Sequence, residues 1–255
     1  MINCVSTQII SISNLTSYAI IAGTTVTATG NTSIVGDVII YPGNTHPGLT
    51  QGTNVNGIIH SANTIASAAK NDLSNAYNQI ANRIANQTLP IVDLGNQILV
   101  PGIYSFFSDL INLNGNLTLN GAGVYLFKIT TALITSNNCN IILINGASAS
   151  TIYFHVGSSV TIGTGCTVNG FVLARTSITV NGASINGGLF ALNGAVTITQ
   201  SSRITALTPH IYTDVTTTSS GIIYSSLPPR SSTTTVSKHP YMIIAILLCS
   251  LAIPC

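Results

Sequence analysis

Residues 152–199 read IYFHVGSSVTIGTGCTVNGFVLARTSITVNGASINGGLFALNGAVTIT, and this run decides the fold. Three strand-like pieces follow one another: Ile152-Tyr153-Phe154-His155, Val160-Thr161-Ile162, and a run ending in Val168-Asn169-Gly170. Phe171-Val172-Leu173-Ala174 then restarts the series. The opening piece recurs as Ile103-Tyr104-Ser105-Phe106, Val124-Tyr125-Leu126-Phe127 and Leu189-Phe190-Ala191-Leu192, with successive starts 21, 28, 19 and 18 residues apart. The second recurs as Ile111-Asn112-Leu113-Asn114, Ile134-Thr135, Ile178-Thr179-Val180-Asn181 and Val196-Thr197-Ile198-Thr199. The third ends in Asn-Gly again at Asn120-Gly121, Asn145-Gly146 and Asn186-Gly187. Three short strands per repeat of about twenty residues predict a β-solenoid coil with three faces. Asn-Gly is also a hairpin signal, so a β-sandwich or barrel competes. The constant phase of the Asn-Gly pairs, and runs too short for paired hairpin strands, favour the solenoid. Asn and Gly are then expected in the left-handed backbone region at each corner.

Working outward, Tyr18-Ala19-Ile20-Ile21-Ala22, Val26-Thr27-Ala28-Thr29 and Ser33-Ile34-Val35-Gly36-Asp37 supply one more such coil near the N-terminus. Between it and the repeats, apolar residues from Ile58 through Ala62, Ile65, Ala69, Leu73, Ala76 and Ile80 to Ile84 follow helical spacing. The spacing predicts one amphipathic helix over about 57–84, lying along one solenoid face and leaving two faces to solvent. The solenoid domain is expected over 9–207, after a short lead at 1–8.

Charged residues make up only 5% of the 255 residues, and the net charge is +2. Globular chains usually carry about 25% charged residues. Seven basic residues are too few to track phosphates, which excludes nucleic-acid binding. All five acids are aspartates, and they fall in different repeats, so no carboxylate pair for acid/base work is expected. His46, His60, His155, His210 and His239 show no ligand spacing, and no phosphate loop or dinucleotide fingerprint occurs. The reading is a non-enzyme with no cofactor and no metal. The five cysteines include no CxxC; Cys139 and Cys166 fit either a pair meeting in adjacent layers or two small packing residues.

No signal peptide is visible from Met1. Residues 208–240 are rich in Ser, Thr and Pro and read as a linker or stalk. Tyr241–Ile253 is a thirteen-residue run, apolar but for Ser250, shorter than the roughly 17 residues needed to span a bilayer. Small residues at 231–233, a polar spacer and the apolar tail at 241–255 fit a glycolipid-anchor signal, with a retained interfacial or tail-anchor segment as the alternative. Either predicts a membrane-attached protein at the cell surface or outside the cell.

Several stretches resemble the ice-binding-protein-like, adhesin-type family. They include Leu15-Thr16-Ser17-Tyr18-Ala19-Ile20-Ile21-Ala22-Gly23, Ile34-Val35-Gly36-Asp37-Val38-Ile39-Ile40-Tyr41-Pro42-Gly43, Leu99-Val100-Pro101-Gly102-Ile103-Tyr104 and Leu189-Phe190-Ala191-Leu192-Asn193-Gly194-Ala195-Val196-Thr197. The resemblance covers about residues 9–207. It implies a mostly β, right-handed, discontinuous solenoid of triangular section with one long helix on one face and the first coil beside the last ones. It also implies that a sheet face away from the helix can bind ice or ordered water.

Such a face needs threonines, whose stiff χ1 fixes a hydroxyl and a methyl together. With apolar residues pointing inward, the outward set is Thr27, Thr29, Asn112, Asn114, Thr135, Thr161, Thr179, Asn181, Thr197 and Thr199, with no charge among them. The family's Thr-Gly/Ala-x-Thr/Asn element occurs at Thr29-Gly30-Asn31-Thr32 and Thr164-Gly165-Cys166-Thr167, adding Thr32, Thr164 and Thr167. Which of two adjacent strands supplies the face is open at this point. The expected function is ice binding by a monomeric domain, acting as an antifreeze or recrystallisation inhibitor. The alternative is a non-catalytic surface adhesion or display module of the same fold. Asn14, Asn31, Asn86 and Asn116 match the N-glycosylation pattern, and glycans at Asn31 or Asn116 would crowd the face.

Overall fold

Runs of β-branched and aromatic residues punctuated by Gly and Asn stack into parallel strands in the computed structural model, which describes residues 12–208. Three faces result. The six-stranded face runs Leu110–Leu113, Ala132–Thr135, Val160–Ile162, Ile178–Asn181, Val196–Thr199, Val26–Ala28. A second face carries nine strands, from Gln87–Leu89 at what we term the lower end to Ile59–Ser61 at the upper end. The third runs from Ile98–Leu99 to Val55–Asn56. Two long strands, Thr167–Ala174 and Ser184–Ala191, bend from the third face into the second. The bends fall at Gly170 and Gly187, and a Cβ on Gly187 would lie 1.8 Å from the Gly170 carbonyl oxygen, so no larger residue fits there.

The chain does not stack its coils in sequence order. Strand Tyr18–Ala22 lies between Asp37–Ile40 and Ser184–Ala191, Val26–Ala28 pairs with Val196–Thr199, and Ser33–Val35 pairs with Arg203–Thr205. The first coil thus sits on the last, as the family resemblance implied. Two coils form at the upper end, a helix carries the chain to the lower end, and the remaining coils climb back. Nine strands at about 4.8 Å spacing span roughly 38 Å. The helix Thr64–Ala81, with 18 residues, covers about 27 Å of that at 1.5 Å per residue. Residues 82–86 make up the rest.

The helix is shorter than the predicted 57–84. Ile59–Ser61 is a strand, because the open edge of Asp37–Ile40 offers it a ladder and the Asp37 Oδ1 accepts the Ile58 N–H at 2.8 Å. Ala62 turns through positive φ, and Asn63 caps the helix by accepting the Ala66 N–H. His60 therefore sits on a strand, with Nε2 4.0 Å from the Asp37 carboxylate, rather than at the helix start. At the other end Ile84 lies beyond the helix and is exposed.

Ala66, Ala69, Leu73, Ala76, Tyr77 and Ile80 bury the helix's apolar stripe against Ile21, Ile39, Leu126, Tyr153, Phe171 and Phe190. Strands of this face are covered on both sides, which is why they read as unbroken apolar runs. Inside the solenoid, Tyr104, Phe127 and Phe154 stack in successive coils with ring centroids 5.4 and 4.8 Å apart. Two coils went unrecognised from sequence: 37–56 at the upper end and 87–99 at the lower end, whose strands are only two to four residues long. The left-handed corner expectation holds for the glycines 121, 146, 170 and 187 but for only one of their asparagines, Asn145. Asn120, Asn169 and Asn186 stay in extended strands, where Asn186 Nδ2 donates to Asn169 Oδ1 at 3.1 Å.

Candidate functional site

On the six-stranded face the inward positions are Val26, Ala28, Val160, Ile162, Ile178, Val180, Val196 and Ile198, all buried. The alternation then turns Thr161, Thr179, Thr197 and Thr27 outward. They are register partners, so the four form one straight row across four neighbouring strands. Among the described residues, no hydrogen bond within the protein engages their hydroxyls. The strands repeat at about 4.8 Å, and alternate residues along a strand lie about 6.7 Å apart. The face is therefore a regular grid of methyls and free hydroxyls.

A second row runs parallel to the first, with Asn181 paired to Thr199 and Thr29 beside it. Its polar groups are partly occupied, since Thr199 Oγ1 donates to Asn181 Oδ1 at 2.9 Å. At the lower end of the face, Asn112 continues the first row and Asn114 the second.

Four expected face residues lie elsewhere. Thr135 points inward and is 6% exposed; its Oγ1 accepts the Gly163 N–H at 2.8 Å and lies 3.3 Å from Cys166 Sγ. In its strand Ile134 points out instead, in register with both Asn112 and Thr161. Thr32 is buried at a corner, where its hydroxyl donates to the Thr29 carbonyl. Thr164 is exposed at the corner after Val160–Ile162 and donates to Gln200 Oε1. Thr167 belongs to the third face, in register with Asn140 and Ser184. That face also carries the exposed Arg203, one residue along the same row. The uncharged threonine row thus lies on the six-stranded face, and Thr167 on another.

Two members of the first row were missed. Ile134 follows Leu133, and two apolar residues in succession leave the phase of a four-residue strand ambiguous. Asp93 bridges Asn112 from the lowest coil and brings a charge to the row's lower end. Partial burial works against its ionisation, but donation from the Gly95 and Asn114 N–H groups and Asn114 Nδ2 outweighs this and holds the carboxyl below its usual range.

Elsewhere, titratable groups serve packing. The His155 ring lies tilted against Tyr77 under the helix, with ring centroids 4.1 Å apart, and burial, then the neighbouring Lys128 charge, lowers its pKa to about 4. Cys139 and Cys166, one position before the register pair Asn140 and Thr167, are joined as a disulfide, with Cα atoms 4.5 Å apart. Among the described residues no cluster of three His, Cys, Asp or Glu could hold a metal, and no helix is long and apolar enough to cross a membrane. The expected linker and apolar tail lie outside the described residues.

The model of the family described as "Ice-binding-like" matches residues 20–205. An ice-binding protein of Nostoc sp. (strain HG1) is 39% identical over 187 residues, which is 71% of this chain and 68% of that protein. Among solved structures, the ice-binding protein of the Antarctic ascomycete Antarctomyces psychrotrophicus is 29% identical with a TM-score of 0.68, over 76% of this chain and 96% of that one. One from an Arctic yeast, whose structure was solved to explain its antifreeze activity, is 26% identical with a TM-score of 0.71, over 81% and 96%. With the family pattern running through nearly the whole described solenoid, the chain belongs to the ice-binding-like family.

Proposed function

We propose that this chain binds ice through its six-stranded face, acting as an antifreeze and recrystallisation inhibitor rather than as an enzyme. The observation that carries the reading is the in-register row Thr161, Thr179, Thr197 and Thr27, uncharged and with hydroxyls free for water. Each threonine holds a methyl that disfavours disordered water and a hydroxyl that can join an ice-like layer, and χ1 stiffness fixes both. Thr29, Asn181 and Thr199 add the second row. Thr164 and Asn114 border the array, while Thr32, Thr135 and Thr167 take no part.

The test is ice-crystal shaping and recrystallisation inhibition by the purified chain and by residues 9–207. Adhesion to ice works by area and flatness, so a single Thr→Ala should do little. Thr161→Tyr and Thr179→Tyr should each abolish shaping, because a ring standing off the plane holds its neighbours away from the lattice. Both positions face outward, so stability should change by no more than about 0.5 kcal/mol. Unshaped crystals at high concentration of the parent chain would favour the display-module reading. Shaping that survives both variants would move the site to another face. We further place the protein outside the cell, attached through its C-terminal apolar run; membrane fractionation of full-length and tail-deleted chains should separate them, and equal partitioning would refute attachment.

A further inference from the structure

The ascending coils are joined unevenly. On the third face Asn116–Asn120 pairs with Asn140–Ile144 along its whole length, and Thr167–Ala174 does the same with Ser184–Ala191. Between those two blocks the ladder shrinks to one pair, Asn140 with Thr167. On the six-stranded face Leu110–Leu113 matches Ala132–Thr135 throughout, but the next step up stops after Leu133 with Val160 and Ile134 with Thr161. The longest spacing between repeats, from 124 to 152, falls at this junction. Residues 141–144 lead into its detour, through Asn145 at positive φ and the turn Ala149–Thr151, and form no ladder with residues 168–170. Side chains fill in part of the gap. Gly163 N–H donates to Thr135 Oγ1 at 2.8 Å, Thr164 N–H to Asn137 Oδ1 at 3.0 Å, and Asn169 Nδ2 to the Ile141 carbonyl at 2.8 Å. The Cys139–Cys166 disulfide crosses the same junction, at the corner where the two thinly paired faces meet. The second face is continuous there. Tyr125–Ile129 pairs with Ile152–Val156 from end to end, and the helix bridges the step. Tyr77 hydroxyl donates to the Val156 carbonyl, while Lys128, one strand lower, donates to the Ala81 and Arg83 carbonyls.

We propose that the Cys139–Cys166 disulfide is a redox-sensitive staple across this junction. Closed, it holds the coils of residues 87–144 against those above. Reduced, it lets the two blocks part on the six-stranded and third faces, hinged on the second. The step is a thiol–disulfide exchange with a dithiol. The S–S bond breaks as two electrons and two protons pass to the cysteines, and the dithiol closes its own disulfide. The link closes a sequence separation of 27 residues, and the freedom it removes belongs to the opened state, so its loss favours opening. Opening stays local, because the continuous ladder and the helix hold the second face together. Such a staple persists in oxidising surroundings and is lost in a thiol-rich compartment, so the fully closed stack belongs to a protein that matures outside the reducing cytosol.

Amide hydrogen exchange of the full chain, read residue by residue by NMR before and after reduction, tests this. Both cysteines are buried, at 0 and 1% exposed, so dithiothreitol is applied in mild urea, and the urea is then removed with the reductant kept. A peptide map of the unreduced chain should show Cys139 joined to Cys166. After reduction, the amides that bond across the junction, at Leu133, Asn138, Gly163, Thr164 and Thr167, should exchange faster by about tenfold or more. Amides that bond within the upper block, at Val160, Gly165, Ile178 and Gly182, and within the lower, at Ser136 and Asn140, should keep their rates. Cys139→Ala with Cys166→Ala should show the same pattern without reductant, and adding reductant to it should change nothing. Cysteines found free or joined to other partners would overturn the proposal. So would unchanged rates at the five junction amides, an equal rise within either block, or general unfolding of the reduced chain and the double variant, since the second face would then be no hinge.

Discussion

Thr135 and Ile134 show how one position of phase reshapes a binding face. The strand keeps the alternation of its neighbours, with Leu133 inward beside Ile111 and Val160 and Ile134 outward beside Asn112 and Thr161, so Thr135 falls on an inward position opposite Leu113. Its hydroxyl faces the core, where it accepts the Gly163 N–H and lies against the Cys139–Cys166 pair. Removing that acceptor leaves a buried donor unpaired, so Thr135→Val, nearly isosteric, should cost about 1–3 kcal/mol in urea unfolding. Ice shaping by the folded protein should not change, because the hydroxyl never reaches the surface. Ile134→Thr is the converse experiment. It would continue the row from Thr161 toward Asn112, and recrystallisation inhibition should then appear at lower concentration with stability nearly unaltered. An unchanged inhibition threshold would mean that the ice footprint ends at Thr161. The four central threonines were legible in the sequence because Val-Thr-Ile and Ile-Thr-Val fix their phase by strict alternation. Thr135 was not, because Leu133-Ile134 puts two apolar residues in succession and leaves the phase of that strand open, and the register partners that fix it lie more than 20 residues away in sequence.

At the scale of elements, the helix and the sheet beneath it form a second core, distinct from the one inside the coils. The helix's existence and its buried stripe were readable from period alone. Its start was not, since Ile58 and Ala62 imitate the period while the edge of Asp37–Ile40 takes Ile59–Ser61 as a strand. Within this second core His155 packs on Tyr77, whose hydroxyl donates to the Val156 carbonyl, with Lys128 in the neighbouring strand. Burial, then Lys128, holds the folded imidazole neutral down to about pH 4, against an ordinary value of 6.5. Between those pH values the unfolded chain binds the proton and the folded one does not, so stability rises with pH. The contribution is complete above about pH 6.5 and is lost as the pH falls toward 4. Thermal midpoints measured across that window should decline for the parent chain, and His155→Leu should flatten the decline. An identical slope in the variant would assign the acid sensitivity to other groups.

Across the whole molecule, the order of coils in space departs from their order in sequence, and the proposed ice face depends on this. Thr161, Thr179 and Thr197 come from the ascending coils, whereas Thr27 comes from the first coil, laid against the last. The seam between them is backbone-tight: Gly23 N–H donates to the Gly194 carbonyl at 2.9 Å, and a Cβ on Gly23 would lie 2.6 Å from the Asn193 carbonyl carbon. Thr208 and Thr16 close the same seam from the far end of the chain, hydroxyl to hydroxyl at 2.9 Å. An ordinary solenoid contacts only its sequence neighbours and can fray from either end. Here the first coil is clamped between Asp37–Ile40 and Ser184–Ala191, so its loss would strip the partner from the last coil as well. Unfolding in urea should therefore be a single transition, with backbone and tyrosine signals coinciding and ice shaping lost over the same range. Gly23→Ala should crowd the seam and lower that one midpoint, at a cost of about 1–3 kcal/mol. If it instead split the transition, with the N-terminal coil melting first and the ascending coils intact, the seam would be a contact between separately stable parts, and the row from Thr161 to Thr197 should then keep shaping ice without Thr27.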